Sequence, residues 1–144
     1  MTLRTSIVLV LCNFSLAAHT VCSEAWDVNN PAYSVESKRI EIDTREGTWM
    51  NLDVAPDGRS IVFDLLGDLY RLPIAGGEAI NVTSSHAWDI QPRFSPDGKT
   101  IAFTSDRAGG DNIWTMNLAG GDYAQVTHET FRLLNNPTWS PDGR

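Results

Sequence analysis

The residues that most often carry chemistry are few in this sequence and widely spaced. The chain has three histidines, at positions 19, 86 and 128. None belongs to an H-x-H or H-E-x-x-H pair, the spacings that bring two imidazoles to one metal ion. His86 and His128 lie at the ends of corresponding predicted fourth strands, where an exposed loop histidine is the commoner role. We therefore predict no histidine metal site in this chain.

Motifs of covalent catalysis and phosphate binding are also missing from the sequence. There is no G-x-S-x-G nucleophile elbow, no Walker loop, and no setting that would activate Cys12 or Cys22. The glycine-rich residues 108–111 lie between predicted strands and begin no helix, so we expect no phosphate site there. The prediction is that this chain holds no catalytic, cofactor-binding or metal-binding residue.

Aspartates recur once per repeat and leave an alternative open. Asp57, Asp97 and Asp142 could ligate a cation, but an aspartate in a turn more often hydrogen-bonds its own backbone. Asp106 and Arg107 could form a surface ion pair, which would contribute only about 0–1 kcal/mol. We favour structural roles for these charged residues.

Tryptophans also recur in the repeats: two precede the predicted first strands, one aligns with Tyr70 of the third strand, and one aligns with Val54 and Phe94 of the first strands. An aromatic lining of a central channel is one interpretation, and packing between neighbouring sheets is the favoured one, because other large apolar residues take matching positions. The residues concerned are Trp49, Trp88, Trp114 and Trp139.

The elements that would position any site form an internal repeat. The stretch NLDVAPDGRSIVFD from Asn51 is matched by QPRFSPDGKTIAFT from Gln91, an offset of 40 residues. DLYRLPIAGGEAINVT from Asp68 is matched by NIWTMNLAGGDYAQVT from Asn112, an offset of 44, because the second copy has a longer loop. A third copy opens at Asn136 with NPTWSPDGR. Self-similarity at a fixed period is typical of repeat architectures.

Each copy predicts four short strands. P-D-G suits a type I turn with glycine in the left-handed position, and the Gly-Gly pairs suit tight hairpins. Four antiparallel strands in every 40–45 residues or so is the spacing of a β-propeller blade, and the alternative, a β-sandwich, does not require near-identical units. The predicted fold is all-β, a partial propeller of about two four-stranded blades and the start of a third. The strands are expected at residues 51–55, 60–64, 68–73, 79–83, 91–95, 100–105, 112–118 and 123–127.

Composition agrees with an acidic globular domain. The 144 residues include 11 Lys plus Arg and 18 Asp plus Glu, a formal net charge of −7. Such a surface repels phosphate backbones, so we expect no nucleic-acid partner. The 11 glycines and 7 prolines favour short strands over long helices.

Residues 1–23 have the layout of a secretory signal peptide. Arg4 precedes the mostly apolar residues 7–18, and small residues follow. The apolar run is shorter than the roughly 20 residues of a spanning helix, so we favour a cleaved signal over an anchor and expect no membrane association afterwards. Cleavage after Ala18, Ser23 or Ala25 would fit. The predicted location is periplasmic or secreted.

The remaining chain divides into a strap and three repeat units. Residues 24–47 form the predicted strap, in which residues 39–43 alternate polar and apolar side chains like a strand. That strand could close the ring by pairing with the last blade, and the alternative is an exposed edge strand. The first blade is predicted at 48–87, the second at 88–132, and the truncated start of a third at 133–144.

The repeat carries a family resemblance. SPDGKTIAFTSDR at residues 95–107 resembles the WD40-like, or PD40, repeat of TolB-type propellers, over roughly residues 46–144. WDVNNP, EGTWMNLDVAPDG, FDLLGDLYRLPIAGG and FRLLNNPTWSPDG resemble the N-terminal propeller of exported bacterial amidohydrolases. In that family the propeller precedes a metal-dependent (β/α)₈ hydrolase domain, which carries the metal-binding histidines and aspartates. No residue here matches them, so none is transferred.

The resemblance implies that the chain is part of a longer hydrolase. A propeller usually has four to eight blades, so two and a fraction would leave apolar faces and a sheet edge unpaired. We expect a scaffold or access-gating role, no hydrolase activity in this chain alone, and a parent enzyme that holds a divalent metal such as zinc. The expected partners are the remaining blades and a C-terminal hydrolase domain.

Two other functions stay open at this point. The chain could belong to a periplasmic adapter of TolB type that binds protein partners, or it could be the propeller of a serine peptidase. Downstream sequence distinguishes the three. H-x-H would indicate the amidohydrolase, a stop after about six blades the adapter, and G-x-S-x-G the peptidase.

Overall fold

A computed structural model describes residues 27–28, 40–119 and 121–143. The described part of the chain is all-β, as predicted, with eight strands and no helix. The strands are β1 (Leu52–Val54), β2 (Ser60–Leu65), β3 (Asp68–Pro73), β4 (Ile80–Asn81), β5 (Asp89–Phe94), β6 (Thr100–Ser105), β7 (Asn112–Asn117) and β8 (Tyr123–Gln125).

The strands form two four-stranded antiparallel sheets, each connected in simple meander order. The first sheet has the order β1-β2-β3-β4 and the second β5-β6-β7-β8. The register repeats between the sheets, since Ser60 pairs with Pro73 as Thr100 pairs with Asn117. This arrangement confirms the prediction of two propeller-type blades, and residues 136–143 begin the third repeat.

The P-D-G turns take the predicted geometry. Gly58, Gly98 and Gly143 have φ angles of 67°, 70° and 79°, the left-handed region where glycine is favoured. The amide of Gly58 donates to the carbonyl of Ala55 at 2.8 Å, and the amide of Gly98 donates to that of Ser95 at 2.8 Å. The turn sequence therefore sets the reversal between the first and second strand of each repeat.

The tight β2–β3 turn contains a leucine where glycine or asparagine is favoured. Leu65 pairs with Asp68, so only Leu66 and Gly67 form the loop, with φ angles of 55° and 86°. A two-residue hairpin with both φ angles positive follows the twist of the strands. Leu66 remains exposed on this turn.

Only β3 and β6 have the predicted bounds, and the other strands differ at one or both ends by one or two residues. β5 begins at Asp89, two residues before its predicted start, because a bulge between Ile90 and Arg93 lets Asp89 pair with Ser105. β4 is only two residues long, although the amide of Val82 still donates to the carbonyl of Leu69 at 2.8 Å.

The core lies between the two sheets. Val62 and Leu69 of the first sheet share one buried cluster with Phe94, Ile101 and Phe103 of the second. Phe94 belongs to β5, which packs across β1, β2 and β3. The repeats thus stack side by side as blades do, with burial of apolar surface holding one sheet on the next.

The face of β1 that points away from the second sheet is open. Leu52 and Val54 are 53% and 47% exposed, whereas the matching Phe94 of β5 is only 6% exposed. Residues 40–43 are exposed and pair with no strand in the described ranges. The signal segment and Arg39 lie outside the described residues. The domain boundaries and the ring-closing role of residues 39–43 stay predictions.

Candidate functional site

The first strands of three successive repeats converge on one another. β1, β5 and residues 136–140 occupy matching places in their repeats. The amide of Phe94 in β5 donates to Oδ2 of Asp53 in β1 at 2.8 Å. The indole Nε1 of Trp139 donates to the carbonyl oxygen of Arg93 in β5 at 3.1 Å. Neighbouring repeats are therefore joined at their first strands by side-chain hydrogen bonds as well as by apolar packing.

Asp64 joins the first repeat to the second. It is 4% exposed, and its carboxylate accepts three hydrogen bonds. Oδ1 accepts from the amide of Asn51 at 2.8 Å, and Oδ2 accepts from Nδ2 of Asn51 at 2.9 Å and from the amide of Gln91 at 2.7 Å. Three N–H donors compensate for much of the cost of burying this charge.

The next junction uses different atoms for the same purpose. Thr104 stands where the first repeat has Asp64, and its hydroxyl donates to Oε1 of Gln91 at 3.1 Å. That same oxygen accepts the amide of Asn136 at 2.6 Å. Each repeat therefore supplies a side-chain oxygen to the backbone amide that opens the following repeat.

The residues that open the second and third repeats have unusual backbone angles. Gln91 has a φ angle of 58° and Asn136 one of 55°, in the left-handed region that most side chains avoid. The amide of each donates to the preceding repeat. Strained backbone persists where its surroundings hold it, and these bonds are the local restraint.

An open groove of about 300 Å³ runs along the ends of the converging strands. Asp53, Arg93 and Thr138 occupy the same position in three repeats and all line it. Its other walls are mostly prolines and aromatic rings: Pro56, Pro96, Pro141, Phe94 and Trp139. The groove combines one cation and one carboxylate with an apolar surround.

Sequence reasoning assigned no role to Asp64 or Arg93. A signal for Arg93 was present in the repeat, because a polar residue stands between apolar neighbours in LDV, PRF and PTW. Alternation in a strand places such a residue on the face opposite its neighbours. Asp64 gives no comparable signal, since the matching residue of the second repeat is Thr104 and not an acid.

The predicted surface ion pair between Asp106 and Arg107 is wrong. Arg107 pairs instead with Asp89, 2.7 Å away, and both side chains are buried, at 9% and 0% exposed. Tyr123 covers the guanidinium, whose carbon lies 4.0 Å from the ring centroid. Asp106 accepts the amide of Trp88 at 2.8 Å. The reason is the β5 bulge, which places Asp89 opposite the end of β6.

Asp68 and Asp111 have raised pKa values. Burial raises the pKa of Asp68, repulsion from Asp89 raises it further, and the hydrogen bond from Asn81 opposes both. Burial also raises the pKa of Asp111, with a further contribution from Asp106. These carboxyls are less readily ionised than free aspartate, because water is displaced and neighbouring charges have the same sign.

The turn aspartates bind their own turns, which supports the structural interpretation. Oδ1 of Asp57 accepts the amide of Arg59 at 2.9 Å, and Oδ1 of Asp97 accepts the amide of Lys99 at 3.1 Å. The hydroxyl of Ser95 also donates to Asp97 and is the main cause of its lowered pKa, with the Lys99 amide next. Asp142 makes the matching contact with Ser140.

The remaining candidates are dispersed. His86 and His128 are both exposed in loops, at the ends of matching segments as predicted.

The tryptophans differ in their surroundings. Trp139 hydrogen-bonds to the second blade, Trp114 is partly buried against the core, and Trp49 is fully exposed. Packing between repeats thus applies to some tryptophans and not to Trp49. Residues 108–110 lie in the β6–β7 loop and line a second cavity of about 340 Å³.

Within residues 27–28, 40–119 and 121–143, no three His, Cys, Asp or Glu side chains are grouped so that they could hold a metal ion. In the same part of the chain, no helix has the length and apolar character needed to cross a membrane.

Comparison with known proteins places this geometry in a family. Residues 52–144 match the family model described as the Tricorn protease N-terminal beta propeller domain. The Streptomyces coelicolor protein named Tricorn protease homolog 1 is 32% identical over 89 residues, which are 62% of this chain and 8% of that protein. The Bordetella pertussis protein named Tol-Pal system protein TolB is 43% identical over 58 residues, 40% of this chain and 13% of that protein.

A solved structure shows the same fold. TolB from Acinetobacter baumannii superposes with a TM-score of 0.53 over 65% of this chain and 25% of that one, at 22% sequence identity. The chain thus matches only a small part of the length of each relative. Since the family model covers more than half of the sequence, the chain belongs to the family of the Tricorn protease N-terminal beta propeller domain, with a TolB-like propeller fold.

Proposed function

We propose that this chain is the propeller part of a larger exported protein, where it acts as a scaffold and gates access to another domain. The observation that carries the proposal is the continuity of the repeat junctions. Asp64 holds the opening amide of the second repeat, and Gln91 holds that of the third. A stack built in this way presents a rigid row of first strands beside an open groove, which suits a gate more than a mobile linker.

The catalytic partner of this propeller is proposed to be a hydrolase. The longer sequence motifs favour a metal-dependent amidohydrolase, which would hold a divalent metal such as zinc in a domain outside this chain. The names of the matched family and of the Streptomyces coelicolor relative favour a protease instead, the class to which the serine-peptidase alternative belongs. Export is proposed from the layout of residues 1–23.

The reading frame of the source genome tests the type of parent protein. Further P-D-G blades that lead to an H-x-H motif would support an amidohydrolase, and blades that lead to G-x-S-x-G would support a serine peptidase. Blades followed by a stop would support the adapter of TolB type. A stop directly after codon 144, with a native mass that agrees, would contradict a propeller in a larger chain.

Gating is tested separately in the parent enzyme. Thr138 lines the groove and is exposed, so Thr138→Trp should narrow the groove without filling the core. Gating predicts that this variant loses activity on long substrates and keeps it on short ones. Ser84→Trp, at an exposed site outside the groove, is the matched control and should change neither. Equal activity of Thr138→Trp and wild type on long substrates would reduce the role to scaffolding.

A further inference from the structure

We propose that the groove between the first strands binds a carboxylate that adjoins an apolar group, and that Arg93 holds this carboxylate. The inference goes beyond the proposed function and does not depend on the type of hydrolase in the parent protein. It rests on the unused hydrogen-bonding capacity of Arg93 and on the walls of the groove.

The backbone of two repeats fixes the guanidinium of Arg93 on one side. Nη1 donates to the carbonyl oxygen of Pro92 at 2.9 Å and to that of Leu52 at 3.3 Å. Within the described part of the chain, Nε and Nη2 have no protein partner, and no carboxylate lies within ion-pair distance of Arg93. The side chain is therefore positioned, with two N–H-bearing nitrogens left to donate.

The state of Arg93 contrasts with that of Arg107, whose partners all lie within the second blade. Arg107 is paired with Asp89 and covered by Tyr123. Among residues 27–28, 40–119 and 121–143, Arg93 has no such partner, although acidic residues outnumber basic ones 18 to 11 in the sequence. The acidic residue that lines the groove is Asp53, and its two carboxylate oxygens already accept the amides of Val54 and Phe94 at 3.0 Å and 2.8 Å.

The shape and lining of the groove define the ligand. A guanidinium with two free donors matches the two oxygens of a carboxylate, and such pairs are stronger than neutral hydrogen bonds. The volume of about 300 Å³ is at the lower end of the range for small-ligand sites. Prolines and the rings of Phe94 and Trp139 offer apolar contact beside the cation. A peptide C-terminus after an apolar residue, or an acidic side chain beside one, has this chemistry.

The test uses the full chain and three tripeptides in an anisotropy titration, each labelled at its N-terminus with dansyl, which carries no carboxylate of its own. The first is Ala-Val-Leu with a free C-terminal carboxylate, the second is its C-terminal amide, and the third is Asp-Val-Leu amide. We expect the free carboxylate to bind about tenfold or more tightly than the amide, the size of effect expected for charge-assisted hydrogen bonds. If the aspartate peptide binds as tightly as the free-carboxylate peptide, the site also accepts the carboxylate of an acidic side chain. If it binds as weakly as the amide, the site accepts only the carboxylate of a peptide C-terminus.

Variants identify Arg93 as the group responsible. Arg93→Gln should abolish the preference for carboxylate over amide, and Arg93→Lys should keep part of it, because an ammonium group lacks the two-pronged geometry. Arg59→Gln removes the same charge from an exposed turn outside the groove and should keep the full preference. A purely structural Arg93 would lower the unfolding midpoint of Arg93→Gln and leave the preference unchanged.

The proposal is overturned if wild-type protein fails to bind the free carboxylate, binds acid and amide equally, or if Arg93→Gln keeps the preference. Should Arg93→Gln fail to fold, the wild-type ratio and the Arg93→Lys ratio still decide. These outcomes are independent of the reading frame after codon 144, so failure of this site and failure of the proposed function are distinguishable.

Discussion

The carboxylate of Asp64 in β2 accepts the backbone amide of Gln91 in the next repeat at 2.7 Å, across 27 residues of sequence. The same carboxylate holds both nitrogens of Asn51 in its own repeat. One buried side chain therefore fixes the start of its own blade and the start of the following one.

Replacing Asp64 should weaken the junction strongly. Asp64→Ala would leave three N–H donors without this acceptor, and an orphaned buried donor costs about 1–3 kcal/mol, so we expect a loss of at least about 2 kcal/mol in the free energy of unfolding. Asp64→Asn keeps one acceptor oxygen and should lose less. Urea unfolding followed by tryptophan fluorescence measures both. Asp122→Ala, at an exposed site, is the control, and an equal loss in that variant would contradict the role of Asp64.

Gly67 should tolerate alanine less well than Gly109 does. Both have left-handed φ angles, 86° and 93°, so alanine is strained at either place by about 1–2 kcal/mol. A Cβ at Gly67 would also lie 2.5 Å from Cε3 of Trp88 in the next repeat, whereas a Cβ at Gly109 would meet nothing within 4 Å. We expect the free energy of unfolding of Gly67→Ala to be at least about 1 kcal/mol lower than that of Gly109→Ala, because Trp88 must move. Equal unfolding free energies in chemical denaturation would show that Trp88 makes way without cost.

Removal of Arg107 should destabilise the second blade. Arg107→Met leaves Asp89 buried without its cation, a change that typically costs about 3–5 kcal/mol. The loss should shrink in the double variant Arg107→Met with Asp89→Asn, because no uncompensated charge then remains. Arg59→Met at an exposed turn should stay within about 0.5 kcal/mol of wild type. Urea unfolding of Arg107→Met, Asp89→Asn and the double variant measures these losses of free energy. A loss in the double variant that equals the sum of the two single losses would contradict the pairing.

Asp68 should make the protein less stable as the pH rises. Its pKa is raised above the usual value of 3.8, mainly by burial, so the folded state binds the proton more tightly than the unfolded chain does. Its stabilising contribution is present below pH 3.8 and is lost as the pH rises through the higher pKa of the folded state. Asp68→Asn should therefore stabilise the protein at pH 7, by less than about 1 kcal/mol because the side chain is partly exposed.

Thermal unfolding of wild type and Asp68→Asn between pH 7 and pH 3 measures this dependence. The advantage of the variant should disappear towards pH 3, where wild-type Asp68 is protonated. The second repeat already has Asn112 at the matching position, so the amide is compatible with the strand. Asp122→Asn is the exposed control. An advantage that stays constant over the pH range would contradict the argument.

Local chemistry made the strands predictable. P-D-G requires particular backbone angles whatever surrounds it, and its recurrence at a fixed offset marked the reversal between the first and second strand of each repeat. The Gly-Gly pairs marked the loop between the third and fourth strands but not its length, since the β3–β4 loop spans residues 74–79 and is longer than the predicted tight hairpin. All eight strands lie at the predicted places. The start of β5 was misjudged because a bulge leaves no mark in the residue types, and Gln91 is an uncommon residue for a φ angle of 58°.

Contacts between repeats were not predictable to the same degree. Asp106 stands next to Arg107 in sequence, yet Asp89, 18 positions away, is the partner. The bonds of Asp64 depend on how one sheet stacks on the next, and alternation within a strand does not specify that stacking. Even so, the polar residue between apolar neighbours in LDV and PRF indicated that Arg93 points away from the apolar face of its strand.

The change of acceptor from Asp64 to the Gln91–Thr104 pair makes the two repeats non-interchangeable. Residues that recur, such as Pro96, Asp97 and Gly98, build each blade, whereas residues that differ build the joints. A blade transplanted to another place in the series would bring a mismatched joint with it. The residues at which the copies have diverged therefore specify the order of the blades.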